Sequence, residues 1–121
     1  MFKRNIEKLL KEAIKTFPVV ILTGARQTGK STLCKMALQK THDYISLEDP
    51  DIRQQALEDP RTFLKTHTSP IIIDEIQYAP DLVSYIQGIV DDNRQAYGQF
   101  VLTGSQNFLL MQKVSQSLAG R

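Results

Sequence analysis

Nine consecutive residues near the start of the chain have the types and spacing needed to hold a polyphosphate. From residue 24 to residue 32 the chain reads Gly-Ala-Arg-Gln-Thr-Gly-Lys-Ser-Thr, which satisfies the phosphate-loop pattern G-x-x-x-x-G-K-[ST]. A loop pinned by Gly24 and Gly29 lets consecutive backbone N–H groups point at the phosphates. Lys30 can reach the β- and γ-phosphates, and the Ser31 hydroxyl can bind Mg²⁺. The predicted nucleotide-binding residues are Gly24, Ala25, Arg26, Gln27, Thr28, Gly29, Lys30, Ser31 and Thr32.

Two acids that follow an apolar run supply a second part of the same chemistry. Residues 70–77 read Pro-Ile-Ile-Ile-Asp-Glu-Ile-Gln. An acid after such a strand emerges at the carboxyl edge of a sheet, where ligands of open α/β folds bind. Asp74 is therefore predicted to hold Mg²⁺, directly or through water. Glu75 is predicted to orient and deprotonate a water for attack on the γ-phosphate, and a solvated carboxylate at a strand end is its alternative interpretation.

The segments on either side of the phosphate loop have the patterns that such a loop requires. Residues 18–23 form a short aliphatic run, apolar on both faces, which is typical of a buried parallel strand. Residues 31–40 contain no Gly or Pro and predict a helix with a broad buried face that includes Cys34 and Met36. Strand, glycine-rich turn and helix follow one another as a phosphate loop needs.

Residues 4–16 predict a surface helix. Leu9 and Leu10 are among the apolar residues that recur at helical spacing in this segment. Glu7 lies one helical turn before Lys11, which allows an ion pair between them. The charges of this segment indicate a solvated helix face, not a membrane-binding or DNA-binding stripe.

Two Asp-Pro pairs occur in the middle of the chain. Asp49 precedes Pro50, and Asp59 precedes Pro60. Because Asp is a favoured N-cap and Pro suits the first helical position, these pairs predict the starts of two short helices. Glu48 is interpreted as one of the acids at these helix starts, and a contact between Glu48 and the nucleotide site is the alternative.

Further elements complete an alternating order. Residues 44–47 and 100–103 predict two short strands, and Pro80 with Asp81 opens a helix between the acidic strand and the last one. The resulting order is a helix followed by β-α-β-(α α)-β-α-β-α. This order predicts an α/β fold with a parallel sheet and helices on both faces, in one domain over residues 1–121.

Composition narrows the class of protein. With 15 basic and 13 acidic residues in 121, the sequence does not indicate a nucleic-acid-binding surface. The single cysteine, Cys34, excludes an internal disulfide and is interpreted as a buried, inert thiol. His42 and His67 are isolated, and no cluster has the spacing of metal ligands. Because residues 1–4 lead into an amphipathic helix and no apolar stretch is long enough to span a bilayer, we expect a cytoplasmic protein.

These motifs together resemble a known family. The phosphate loop, the Ile-Ile-Ile-Asp-Glu-Ile-Gln strand, Val-Leu-Thr-Gly-Ser and the closing Ser-Leu-Ala-Gly-Arg are similar to the AAA-superfamily ATPases of prokaryotes. The most similar group has an ATPase core followed by a poorly characterised C-terminal domain. The resemblance covers residues 4–121, and it implies a P-loop NTPase three-layer sandwich that uses ATP and Mg²⁺. The residues that match the Walker A, Walker B and catalytic glutamate positions are Gly24, Gly29, Lys30, Ser31, Thr32, Asp74 and Glu75.

The same resemblance implies roles for residues near the end of the chain. In such ATPases a later strand lies between the phosphate-loop strand and the acidic strand, and a polar residue at its tip senses the γ-phosphate. Ser105 matches that sensor, with Gln106 and Thr103 as alternates; a turn residue is the other interpretation of all three. Arg121 matches an arginine that acts as a finger in a neighbouring subunit, and a frayed terminal residue is its alternative.

The chain departs from the family pattern at its end. A AAA core has a fifth strand and a helical lid, which supplies a second arginine sensor and part of the adenine pocket. We therefore expect a truncated ATPase core that lacks the last strand and the lid. The expected consequences are weaker nucleotide affinity and an exposed sheet edge or core face that favours self-association. A homo-oligomer or a missing C-terminal domain is the expected partner.

Two classes of function remain open. The first is a hydrolase that converts ATP to ADP and phosphate, with Glu75, Lys30 and Ser105 as its catalytic residues. The second is a nucleotide-binding or interaction module that does not turn over. The acid pair disfavours a P-loop kinase, whose nucleophile is a substrate hydroxyl. A GTPase is disfavoured because no Asp-x-x-Gly follows a strand and no Asn-Lys-x-Asp occurs.

Overall fold

The computed structural model describes residues 2–24, 30–67, 70–93 and 96–105, with side-chain positions for residues 7–22, 34–67, 70–93 and 96–104. No helix in these described ranges is long and apolar enough to cross a bilayer. In chain order, the elements are α1 (Phe2–Thr16), β1 (Val19–Gly24), α2 (Lys30–Leu38), β2 (Asp43–Ser46), α3 (Pro50–Glu58), α4 (Pro60–Thr66), β3 (Ile71–Asp74), a 3₁₀ helix (Ile76–Tyr78), α5 (Leu82–Asp92) and β4 (Phe100–Ser105).

The four described strands form one parallel sheet in the order β1-β4-β3-β2. The last of the described strands, β4, therefore lies between the strand before the phosphate loop and the strand that ends in the acids. This is the insertion that the family resemblance implied. Because every strand runs in the same direction, Gly24, Ser46, Asp74 and Ser105 all lie at the carboxyl edge.

Helices cover both faces of the sheet, as the alternating order predicted. On one face, Ile72 and Val101 pack against Leu10 of α1 and against Cys34 and Leu38 of α2. On the other face, neighbouring strand residues pack against side chains of α3, α4 and α5. Successive strand residues point to opposite faces, so a strand that is apolar throughout belongs between two helical layers. The α/β three-layer architecture is confirmed over the described residues.

Both predicted Asp N-caps are present. The Asp49 carboxylate accepts hydrogen bonds from the backbone N–H groups of Asp51, at 2.9 Å, and Ile52, at 3.4 Å. The Asp59 carboxylate accepts one from the N–H of Thr62 at 3.1 Å. Each cap satisfies donors that the first helical turn cannot pair internally. The two caps fix where α3 and α4 begin.

The outer helices bury narrower faces than their sequences predicted. The Glu7–Lys11 ion pair forms at 3.3 Å, and Leu10 is buried. Leu9 is 64% exposed and Met36 is 68% exposed, so assigning Met36 to the buried face of α2 was wrong. A helix that packs on a sheet buries one stripe along its length. At about 100° per residue, Leu9 is turned about 100° from Leu10, and Met36 is turned about 200° from Cys34.

The turn before β4 holds a glycine in a conformation that other residues rarely adopt. Gly98 has φ +71°, and a Cβ added there would lie 2.7 Å from the Ile14 carbonyl oxygen. We expect Gly98→Ala to lower the free energy of unfolding by about 2 kcal/mol or more, because it adds left-handed strain and a backbone clash.

Gly88 provides the matched control for this prediction. It lies inside α5 with no atom within 4 Å of an added Cβ. Gly88→Ala is expected to raise the free energy of unfolding by about 0.5–1 kcal/mol through lower backbone entropy in the unfolded chain. Urea unfolding of both variants measures the two effects. Equal effects of the two substitutions would contradict the tight packing of Gly98 against α1.

Candidate active site

The described part of the predicted site converges on one edge of the sheet. Gly24 ends β1 and pairs in register with Ser105, which ends β4. Asp74 ends β3, directly beside β4. Lys30 is the first residue of α2, the helix that follows the phosphate loop.

Several predicted residues fall outside the described ranges. The backbone of residues 25–29 does, and so do the side chains of Lys30, Ser31, Thr32 and Ser105. Gln106 and Arg121 also lie outside the described residues. The described side chains of the predicted site are those of the acid pair and its surroundings.

Asp74 is buried, and hydroxyl groups from two neighbouring strands hold its carboxylate. The Tyr44 hydroxyl of β2 donates to Oδ2 at 2.7 Å. The Thr103 hydroxyl of β4 donates to Oδ1. Asp74 is 5% exposed and Thr103 is fully buried. A buried carboxylate needs such donors, because burial without hydrogen bonds would disfavour its charged form.

Strand register explains why these three side chains meet. Tyr44 lies opposite Ile72 on β3, two residues before Asp74, so its long side chain reaches Asp74 along the same face. Ile73 pairs with Leu102, which sets Thr103 level with Asp74 on the third strand. Ile72 and Tyr44 belong to the cluster beneath α1 and α2. The acid therefore lies on the face covered by the helix that begins at the phosphate loop.

Glu75 follows Asp74 in an unusual backbone conformation. Its φ and ψ are 58° and 51°, in the left-handed region, and it is the one non-glycine residue with positive φ in the described part of the chain. Its backbone N–H donates to the Thr103 hydroxyl at 3.4 Å, and its carbonyl accepts from the N–H of Tyr78 at 3.1 Å. Such a conformation costs about 1–2 kcal/mol and is found where surrounding contacts enforce it, often at functional sites.

The burial of Glu75 contradicts the alternative interpretation of its sequence position, and its role as a base stays a prediction. Its side chain is 4% exposed, so it is not a solvated carboxylate at a strand end. The left-handed backbone turns the chain from β3 directly into the 3₁₀ helix. The backbone therefore changes direction between Asp74 and Ile76.

Tyr44 was not predicted from the sequence to belong to the site. Its burial, its hydrogen bond to Asp74 and the nearby negative charge raise the pKa of the Tyr44 phenol above its usual range. The phenol therefore stays protonated and serves as a donor at every physiological pH. The ammonium group of Lys35, on α2, lies 4.4 Å from the centre of the Tyr44 ring.

Arg53 is a second residue that sequence reasoning missed. Its guanidinium donates to the carbonyls of Leu47, at 2.9 Å, and Glu48, at 3.0 Å. The same group lies 4.2 Å from the centre of the Tyr78 ring. Arg53 thus ties the turn after β2 to the 3₁₀ helix that follows Glu75. Glu48 itself is exposed in that turn.

The donor chemistry of this edge fits Mg²⁺. The buried Asp74 carboxylate and its hydroxyl partners are hard oxygen groups, the kind that Mg²⁺ prefers. In the described ranges, no group of three or more His, Cys, Asp or Glu residues is arranged to hold a metal. A magnesium ion bound with a nucleotide needs only one or two carboxylates, because phosphates and water complete its shell. The single carboxylate of Asp74 is therefore sufficient.

An apolar pocket of about 330 Å³ lies at the opposite edge of the sheet. Its lining includes Leu64 of α4, Ile89 and Val90 of α5, and Phe100 at the start of β4. It shares no residue with the acid pair. The pocket is therefore separate from the predicted site at the carboxyl edge.

A parallel β1-β4-β3-β2 sheet, with a phosphate-loop sequence after β1 and an acid at the end of β3, defines a P-loop NTPase-like domain. A family profile described as "AAA domain" matches residues 16–121, and the chain belongs to this family. Membership indicates nucleotide binding and ATPase-type activity in general. The family resemblance stated from the motifs is thus confirmed.

The chain is also similar to curated proteins of mycobacteria. It is 33% identical over 119 residues to Uncharacterized protein Mb2031c of Mycobacterium bovis and to Uncharacterized protein Rv2008c of Mycobacterium tuberculosis. The alignments cover 98% of this chain and 27% of each relative. The chain therefore spans about a quarter of the length of these relatives.

Proposed function

We propose that this chain binds Mg-ATP and hydrolyses it to ADP and phosphate. The observation that carries the proposal is the buried acid pair at the end of β3, separated from the phosphate-loop strand by β4 alone. In a sheet with strands about 4.8 Å apart, that spacing leaves room for a phosphate chain between the loop and the acids. The phosphate-loop sequence and the AAA family match support the same activity.

The proposed roles follow the charge and position of each residue. The loop of residues 24–29, with Lys30 and Thr32, binds the phosphates at the N-terminal end of α2, where the helix dipole favours an anion. Ser31 and Asp74 would hold Mg²⁺, which supplies charge neutralisation on the phosphate oxygens when bound. Ser105 remains the proposed γ-phosphate sensor, since the Thr103 hydroxyl is engaged with Asp74.

Glu75 is the proposed general base. It accepts a proton from a water whose oxygen attacks the γ-phosphorus, while the bond from that phosphorus to the β–γ bridging oxygen breaks and ADP leaves. Burial of Glu75 supports this role, because bulk water would otherwise compete for the carboxylate. Lys30 balances the negative charge that develops on the leaving oxygens.

The competing proposal is a module that binds a nucleotide without turnover. The AAA family match supports it as well, because membership indicates nucleotide binding in general. Under either proposal the protein acts in the cytoplasm on a nucleotide. A second copy of the chain, to which Arg121 would contribute a finger, or a further domain is the proposed partner.

A nucleotide titration followed by single-turnover kinetics tests both proposals. Thermal unfolding with ATP, in Mg²⁺ and in EDTA, measures binding, and release of labelled phosphate from bound ATP measures hydrolysis. Binding with phosphate release supports the ATPase, and binding without release supports the module. If ATP leaves the unfolding midpoint unchanged in both conditions, neither proposal stands for this chain.

A further inference from the structure

We propose that Tyr44 is a positioning residue, whose phenol fixes the Asp74 carboxylate in the orientation that meets the Mg²⁺ of a bound nucleotide. The inference rests on the proposed function and adds a residue to its metal site that neither the motifs nor the family match assigns. Its basis is a 2.7 Å hydrogen bond from the Tyr44 hydroxyl to Oδ2 of Asp74.

Tyr44 and Thr103 each hold one oxygen of the Asp74 carboxylate. Thr103 donates to Oδ1 from β4, and Tyr44 donates to Oδ2 from β2, so the two donors approach from opposite sides of β3. A carboxylate that is held at one oxygen can still rotate about its Cβ–Cγ bond. Donors at both oxygens oppose that rotation, and Tyr44 supplies the donor at Oδ2.

Holding Asp74 in this way does not use up its capacity to bind. Each carboxylate oxygen has two lone-pair sites, and each hydroxyl donor occupies one of them. A carboxylate oxygen that accepts one such hydrogen bond can also bind a metal ion or a water bound to that ion. The two hydrogen bonds can therefore orient the Asp74 carboxylate while it binds a metal ion.

Tyr44 is itself held in place by the helix after the phosphate loop. Its ring packs against the cluster beneath α1 and α2, and the Lys35 ammonium of α2 lies 4.4 Å from the ring centre. Because α2 also begins with Lys30 and Ser31, one side chain links the helix that binds phosphate to the acid that binds the metal. Tyr44 therefore holds Asp74 in position relative to Ser31, the other proposed magnesium ligand.

Tyr44→Phe is the test, because it keeps the ring and its Lys35 contact and removes the donor. The measurement is the thermal midpoint at fixed ATP as Mg²⁺ is titrated, with EDTA as the metal-free reference. We expect the half-effective Mg²⁺ concentration to rise about 10-fold or more, the cost typical of losing a residue that orients a metal ligand. The response to ATP in EDTA is expected to match that of the parent.

Tyr78→Phe is the matched control. It removes a phenol hydroxyl from a residue whose ring contacts Arg53, outside the Asp74 hydrogen bonds. Its Mg²⁺ dependence is expected to equal that of the parent. Tyr44→Leu adds the loss of the ring; if it alone changes the Mg²⁺ dependence, the ring and not the hydroxyl matters, and the proposal is wrong.

The remaining outcomes distinguish a failure of the Tyr44 role from a failure of the proposed function. A parent-like Mg²⁺ dependence in Tyr44→Phe overturns the positioning role while leaving the proposed function intact. A Tyr44→Phe chain that does not fold assigns the hydroxyl to stability and also overturns it. If the parent itself shows no Mg²⁺-dependent response to ATP, and Lys30→Ala behaves identically, the proposed function is wrong. The role proposed for Tyr44 is then wrong as well.

Discussion

Lys30→Ala is expected to abolish the stabilisation that Mg-ATP gives to the fold. A ligand at about 100 times its dissociation constant stabilises a folded protein by roughly 2.7 kcal/mol. For a chain of this size, that corresponds to a rise of the unfolding midpoint by roughly 10 °C. Lys30 supplies the positive charge that the phosphate-loop pattern directs to the β- and γ-phosphates, and its removal leaves those charges opposed only by backbone groups and Mg²⁺. We expect no detectable rise in the variant at the same ATP concentration.

Lys40→Ala is the control for the loss of one positive charge. Lys40 is exposed in the turn after α2 and lies away from the carboxyl edge. The control is expected to keep the full response to Mg-ATP. An equal loss in both variants would point to non-specific charge attraction, and a full response in Lys30→Ala would refute the phosphate-loop assignment.

Glu75→Gln is expected to slow phosphate release by about 10²–10⁴-fold, the usual contribution of a general base. The amide has the size and shape of the carboxylate but cannot take a proton from water. Binding of Mg-ATP should remain, because Glu75 is not assigned to the phosphates or the metal. The expected signature is therefore an unchanged thermal response with loss of single-turnover hydrolysis.

Glu12→Gln makes the same chemical change on the exposed face of α1 and is expected to hydrolyse ATP at the parental rate. If Glu75→Gln also retains the parental rate, the base has been assigned to the wrong residue. If it loses ATP binding together with hydrolysis, Glu75 holds the ligand or the local fold. The left-handed backbone at Glu75 makes that distinction worth measuring.

The features that the sequence predicted correctly depend on local rules. Asp49 and Asp59 cap helices because a short acidic side chain beside Pro has few other stable arrangements at a helix start. Asp74 lies at the carboxyl edge because an aliphatic run fixes the strand and its last residue ends there. The place of β4 in the sheet followed from the family resemblance, since no local signal determines strand order.

The features that the sequence did not reveal depend on distant parts of the chain. Tyr44 meets Asp74 through the register between β2 and β3, which alternation along one strand cannot supply. The exposure of Met36 depends on which neighbour covers α2. The left-handed conformation of Glu75 has no signal in its residue type, because glutamate ordinarily avoids that region. The hydrogen bonds with Thr103 of β4 and with Tyr78 of the 3₁₀ helix accompany this conformation.

The strand order also determines when each strand can pair during synthesis of the chain. During synthesis β2 and β3 can pair soon after they leave the ribosome, but β1 pairs with β4 alone among the described strands, and β4 is made last. At roughly 5–20 residues per second, β1 waits several seconds with an unpaired aliphatic strand exposed. The strand that ends at Gly24 and the strand that ends at Asp74 are joined only when β4 arrives between them. A nascent chain halted before Phe100 would therefore present β1 to chaperones or to other chains.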